Sequence, residues 1–186
     1  MQAIAVFCGS SLGIKPEYAE AARQLGRLLA VQQRALIYGG GKIGLMGVLA
    51  DATLAAGGRV IGVIPQLLLD KEVGHHGLTE LRVVNTMAQR KEVMLELADA
   101  CIALPGGIGT LDELFEVWTS AQLGIQVKPC GLLNMQGYFD GLLAFLAHAE
   151  AQGFLQAAHR AALHIHHQPA SLLESLTHSG VQGRAP

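Results

Sequence analysis

The sequence predicts a one-domain α/β protein built on an open, mostly parallel sheet with helices on both faces. Three observations predict it. Short apolar runs alternate with segments of helical periodicity along the whole chain, the pattern of a parallel sheet whose connections are helices. The runs ending near Cys8, Tyr38 and Leu104 each lead into a glycine turn, so all three turns fall at strand C-terminal ends, where open α/β sheets bind ligands. Finally, the 186 residues contain no proline- or serine-rich linker, and that length suits a single domain with a sizeable core.

The first run, residues 3–8, ends at Gly9-Ser10-Ser11. Pro16 then opens a helix with Tyr18, Ala21, Ala22, Leu25, Leu28 and Leu29 on one face. Ser10 and Ser11 stand where hydroxyls either assist an anion or only shape the turn. Residues 35–38 make the second strand, which runs into Gly39-Gly-Gly41-Lys42-Ile-Gly44-Leu-Met-Gly47 and a helix closed by Gly57-Gly58. These glycines match G-x-G-x-x-G, yet they follow the second strand. The third, residues 59–64, ends in Pro65 without the acidic residue that holds a ribose in dinucleotide-binding folds. A Walker A loop is excluded as well, because no Lys-Ser/Thr follows a glycine at the required spacing. Lys42 remains a candidate phosphate neighbour.

Residues 66–79 are polar and irregular, long for a connection, and read as a mobile loop over a site. A strand at 81–85 precedes a helix over 87–98 carrying Arg90 and Lys91 in its first half, where positive charge opposes the helix dipole and invites a functional explanation. A strand ending at Leu104 leads into a helix with Leu114, Phe115, Val117, Trp118, Ala121 and Leu123, broken by the polar Thr119 and Gln122. Next come a strand at 130–134, a helix over 138–153, a strand at 163–167 and a last helix after Pro169. His164 and His166 would share a strand face, but no carboxylate or cysteine accompanies them, so no metal site is predicted. The domain is read as residues 1–178, with 179–186 a flexible tail.

The chain is organised around Ala100-Cys-Ile-Ala-Leu104-Pro105-Gly106-Gly107-Ile108-Gly109-Thr110-Leu111-Asp112-Glu113. Gly106, Gly107 and Gly109 let a ligand approach the main chain, and the unpaired N–H groups of a following helix start attract phosphate. Asp112 and Glu113 would lie in the first helical turn, within one ligand's length of that phosphate. Thr110 and Glu113 also fit a capping box, in which the two side chains satisfy helix-end amides. Capping, however, leaves the three glycines unexplained.

Composition narrows the function classes. The formal charge is −2 and no basic run is interleaved with aromatics, which argues against nucleic-acid binding. No apolar run approaches the ~18 residues of a membrane span, and Met1-Gln-Ala-Ile-Ala carries no basic leader, so a cytoplasmic protein is expected. Cys8, Cys101 and Cys130, odd in number and each in an apolar run, read as reduced core thiols. Charged residues make up 15% against an apolar 51%, where roughly 25% charged is usual. A homodimer is therefore expected, its contact formed by the apolar helices around Leu95 and from Phe115 to Leu123.

Cys8-Gly-Ser-Ser11, Tyr38-Gly-Gly-Gly41 with Gly44-Leu-Met-Gly47, Gly62-Val-Ile-Pro65, Met87-x-x-Arg90-Lys91 and Pro105-Gly-Gly-x-Gly-Thr-x-x-Glu113 resemble, in order and spacing, the LONELY GUY family. These are cytokinin riboside 5′-monophosphate phosphoribohydrolases, often labelled lysine decarboxylase-like, and the resemblance runs from about Ile4 to Leu155. It implies a Rossmann-like fold, usually dimeric, that hydrolyses the N-glycosidic bond of an adenine nucleotide monophosphate to free base and ribose 5-phosphate. By match to the family motifs, Arg90 and Glu113 resemble its catalytic pair. Glu72, Lys91, Gly107, Ile108, Gly109, Thr110 and Thr119 resemble its substrate-binding positions, and Ser11, Gly41 and Gly106 join them as candidates from their own glycine turns. Ala88 stands where many members carry histidine, a departure that bears on substrate preference.

Decarboxylation of lysine would need an electron sink such as pyridoxal phosphate on a Schiff-base lysine, and no lysine here lies in such a context. Hydrolysis needs neither cofactor nor metal: a carboxylate at position 113 can stabilise the oxocarbenium-like sugar and activate water, while Arg90 supplies fixed positive charge. A nucleotide-binding or carrier protein without chemistry is the alternative, for which glycine turns alone suffice.

Overall fold

The computed structural model describes residues 1–71 and 74–182, with side chains through residue 178. The chain alternates β1 (Ala3–Phe7), α1 (Pro16–Val31), β2 (Ala35–Tyr38), α2 (Gly44–Ala55), β3 (Val60–Pro65), a single turn α3 (Gln66–Leu69), β4 (Glu80–Val84) and α4 (Met87–Leu97). It continues through β5 (Ala100–Ala103), α5 (Ile108–Gln122), β6 (Cys130–Leu133), α6 (Asp140–Ala151), a short α7 (Ala157–Ala161), β7 (Leu163–His166) and α8 (Pro169–Gln182). The described strands pair in parallel in the order β4-β3-β2-β1-β5-β6-β7. The Rossmann-like α/β architecture expected from the alternation is the one observed. The final helix runs past the expected boundary at residue 178, and residues 183–186 of the expected tail lie outside the described residues.

Alternation along the strands divides the interior into two layers. Ile4, Val6 and Cys8 face a core closed by α1, α2 and α8, with Leu25, Leu29, Leu49 and Leu172 at its centre. Ala5 and Phe7 face the opposite core, closed by Met94 of α4, Leu114, Val117 and Trp118 of α5 and Leu146 of α6. Both faces of a parallel sheet are thereby buried. Leu95, expected on a subunit contact, instead packs into this second core at 7% exposure. Just past the end of α5, Leu123, Ile125 and Val127 are exposed.

Strand order reverses between β1 and β5: β2 to β4 lie on one side of β1, and β5 to β7 on the other. A crevice opens where neighbouring connections diverge, above the C-terminal ends of those two strands. The β1–β5 register extends beyond the strands, since the Leu104 amide donates to Phe7 O at 2.9 Å and the Gly9 amide to Pro105 O at 3.0 Å. The turn after Cys8 and the turn after Leu104 are thus laid side by side.

The stretch expected as an irregular loop is anchored at its far end. His75, buried, bonds Asp51 of α2 through Nε2 at 2.9 Å and accepts the Gly77 amide on Nδ1 at 3.1 Å. Gly41 and Gly74 form an isolated antiparallel bridge beside it. α6 also starts later than expected, at Asp140, because Gln136 (φ +52°) and Gly137 (φ +69°) turn the chain left-handed and Asn134 Oδ1 takes the Phe139 amide at 2.8 Å.

Candidate active site

α5 begins at Ile108 behind an N-cap of Gly107. Thr110 and Glu113 are therefore the third and sixth helical residues, and the capping box that their spacing suggested does not form. No side chain among the described residues caps this helix. The amides of Gly107, Ile108, Gly109 and Thr110 have no acceptor among those residues either. Four unpaired N–H groups at the positive end of a four-turn helix thus belong to residues that line the crevice, which is the local chemistry that holds an anion.

Arg90 reaches the same crevice from α4. Thr86 caps that helix, accepting the Gln89 amide at 3.1 Å while Gln89 Oε1 accepts the Asn85 amide at 3.0 Å. Arg90, 8% exposed, donates from Nε to Val63 O at 3.1 Å and from Nη2 to Gly39 O at 2.8 Å. Carbonyls within β3 and just past β2 thus offset the burial of a charge that the helix dipole opposes. Gly39 is required for this approach: a Cβ there would lie 1.9 Å from Arg90 Nη2.

Opposite Arg90 stands Glu113. The two share a cleft of about 280 Å³ with Cys8, Gly9, Ser10, Asp112 and the 107–110 turn, and Met46, Leu68, Met87 and Ile108 supply apolar lining. Among the described residues no donor reaches the Glu113 carboxylate. Burial, opposed by the Arg90 charge and reinforced by Asp112, pushes its pKa from 4.5 up to about 7. Cys8 is held as a thiol, its pKa raised by burial and then by the Glu113 charge, so it is no nucleophile at neutral pH.

Arg90, Gly107, Ile108, Gly109, Thr110 and Glu113 meet in this cleft, whereas other expected positions stand apart. Ser10 lines it in place of Ser11, which is exposed in the same turn. Gly41 is occupied in its bridge to Gly74. Gly106 lies just behind the cleft and offers its carbonyl to Tyr138 Oη at 2.6 Å. Lys91 turns to α5, where its ammonium meets Asp112 at 3.0 Å and Glu116. Thr119 is exposed further along α5, and Lys42 is exposed beside α2. Glu72 lies outside the described residues. Gly39, Met46 and Leu68 were missed because their role arises from contacts between elements far apart in sequence.

An uncapped helix start beside a half-buried carboxylate and a buried arginine, at the switch point of a parallel sheet, gives this Rossmann-like α/β protein a cleft suited to an anionic ligand. The family model described as "Possible lysine decarboxylase" matches residues 46–176. A cytokinin riboside 5′-monophosphate phosphoribohydrolase of Rhodococcoides fascians is 49% identical over 160 residues, covering 86% of this chain and 81% of the relative. An Arabidopsis thaliana protein of the same enzyme name is 52% identical over 152 residues, covering 82% and 70%. Among solved structures, the molybdenum cofactor binding protein of Rippkaea orientalis superposes with a TM-score of 0.71 at 23% identity, covering 96% of each chain, a likeness of fold alone. The chain belongs to the LONELY GUY family of cytokinin riboside 5′-monophosphate phosphoribohydrolases.

Proposed function

We propose that this protein hydrolyses the N-glycosidic bond of adenine-type nucleoside 5′-monophosphates, releasing the base and ribose 5-phosphate. The observation that carries the reading is the placement of Glu113 and Arg90 in one cleft, beside the open amides of residues 107–110. A 5′-phosphate on those amides would set the ribose toward the carboxylate. As the bond from C1′ to the base nitrogen lengthens, positive charge grows on the sugar, and the Glu113 carboxylate stabilises it and orients or deprotonates the attacking water. Arg90 stays protonated throughout, so it holds substrate and polarises the site rather than moving protons. Serine at position 10, together with Gly107 to Thr110, completes the phosphate side.

The apolar lining by Met46, Leu68, Met87 and Ile108 suits a base bearing a prenyl group and admits plain AMP as well; the relatives are named for cytokinin riboside 5′-monophosphates. Lysine decarboxylation is a poorer fit, because no lysine is among the described residues lining the cleft and a pyridoxal aldehyde would have no amine to hold it. We also propose a homodimer, for which the exposed Leu123, Ile125, Val127, Phe145 and Phe154 offer apolar contact surface in place of the buried Leu95, one nucleotide-binding domain over residues 1–178, and a cytoplasmic setting. Three buried free thiols fit a reducing compartment.

Purified protein assayed against AMP, isopentenyladenosine monophosphate and their unphosphorylated ribosides tests the reading. Release of free base from both nucleotides but not from the ribosides is expected. Binding of AMP by calorimetry without release of adenine from any substrate would make the protein a carrier.

A further inference from the structure

We propose that Tyr138 is a positioning residue that aims the anion-holding amide of Gly107 at the cleft. This rests on the reading that residues 107–110 hold a phosphate. Tyr138 Oη donates to Gly106 O at 2.6 Å, yet Tyr138 does not line the cleft, whereas Gly107 does. In a planar trans peptide the carbonyl of residue 106 and the N–H of residue 107 point in opposite directions. A hydroxyl that holds the Gly106 carbonyl on its own side therefore turns the Gly107 N–H to the other side, where the cleft lies. Without that bond, a turn of successive glycines is free to rotate the 106–107 peptide and present an oxygen to a phosphate.

The surroundings of Tyr138 are built for such a task. The ring meets Tyr18 edge-on with centroids 5.5 Å apart and Phe139 at 4.9 Å, which fixes its orientation from two sides. The loop that delivers it contains two successive left-handed residues, Gln136 and Gly137, and a non-glycine in that region is a strained choice kept only where the surroundings hold it. Asn134 supplies the restraint, accepting the Phe139 amide on Oδ1 at 2.8 Å and donating from Nδ2 to Asp140 Oδ1 at 2.7 Å. From the C-terminal end of β6, the loop thus braces the turn that follows β5.

Tyr138→Phe keeps the ring contacts and deletes only the hydroxyl. Titration calorimetry with AMP and with adenosine tests the assignment on the native protein and the variant, with Glu113→Gln added to both so that AMP is bound without turnover, and thermal unfolding is recorded alongside. The native protein should bind AMP more tightly than adenosine. The variant should bind AMP about tenfold more weakly, the equivalent of 1.4 kcal/mol, with adenosine affinity unchanged and the melting temperature within about 2 °C. Unchanged AMP affinity, or equal weakening of AMP and adenosine, would overturn the positioning role. Equal affinity of the native protein for the two ligands would overturn the phosphate reading, and this proposal with it.

Discussion

Lys91 and Asp112 stand 3.0 Å apart, joining α4 to the first turns of α5, and the same ammonium meets Glu116 one turn on. These two carboxylates flank Glu113 on the helix, and both disfavour its ionisation, while the Lys91 and Arg90 charges favour it. Lys91, expected from its motif to touch substrate, is thereby placed to neutralise the carboxylates around the reacting one. Lys91→Met should raise the acid-limb midpoint of the kcat/KM profile by about half a pH unit or more. A profile measured from pH 5 to 9 that keeps its midpoint would show that the ion pairs serve α4–α5 packing only.

For the native protein, kcat/KM should fall about tenfold per pH unit below a midpoint near 7, because the carboxylate must be ionised and burial holds its pKa at about 7. The same shift bears on stability. Folded Glu113 keeps its proton up to about pH 7 while the unfolded chain gives it up near 4.5, so this group makes stability decline as pH rises through that window and adds no further change above it. Chemical denaturation at pH 5 and pH 8 would measure the slope, to which other carboxylates also contribute.

Glu113→Gln removes charge without removing volume. With no donor bound to the carboxylate among the described residues and no cap to lose, folding should be unaffected and the melting temperature at pH 8 equal or slightly higher. Turnover should drop at least a hundredfold, about 3 kcal/mol of transition-state stabilisation, with AMP binding retained. Near-normal hydrolysis by this variant would move the search for the water-activating group to Glu116.

Arg90→Ala should weaken binding and turnover together, and it should also destabilise the fold. It strips the donors from Val63 O and Gly39 O, and a buried acceptor left unsatisfied costs about 1–3 kcal/mol. At this chain length each kcal/mol corresponds to about 2–4 °C in melting temperature. Unchanged AMP affinity in a folded Arg90→Ala protein would remove the arginine from the substrate-holding role.

Gly39→Ala adds one methyl group 1.9 Å from Arg90 Nη2. The guanidinium must leave its two carbonyls to make room, so activity should fall nearly as far as in Arg90→Ala. Activity within twofold of native would mean that Arg90 works equally well from another position.

The alternation of apolar runs with helical periods fixed the fold class, because period and turn chemistry are properties of neighbouring residues. The same holds for the glycine turn from Pro105 to Gly109, whose backbone freedom is readable residue by residue. The cleft was legible only in part. Whether Thr110 and Glu113 cap a helix or face a ligand turns on where α5 begins, and that start at Ile108 accompanies the docking of the 104–107 segment along β1. Tertiary structure alone decided that the β1 and β5 turns adjoin, since no local signal encodes the strand order. It likewise decided that Arg90 is held by carbonyls from 27 and 51 residues away, and that Lys91 pairs with Asp112 and Glu116 of α5. Hydrogen bonds and ion pairs between distant segments depend on which backbone ends the sheet brings together, and local propensity carries no information about that choice.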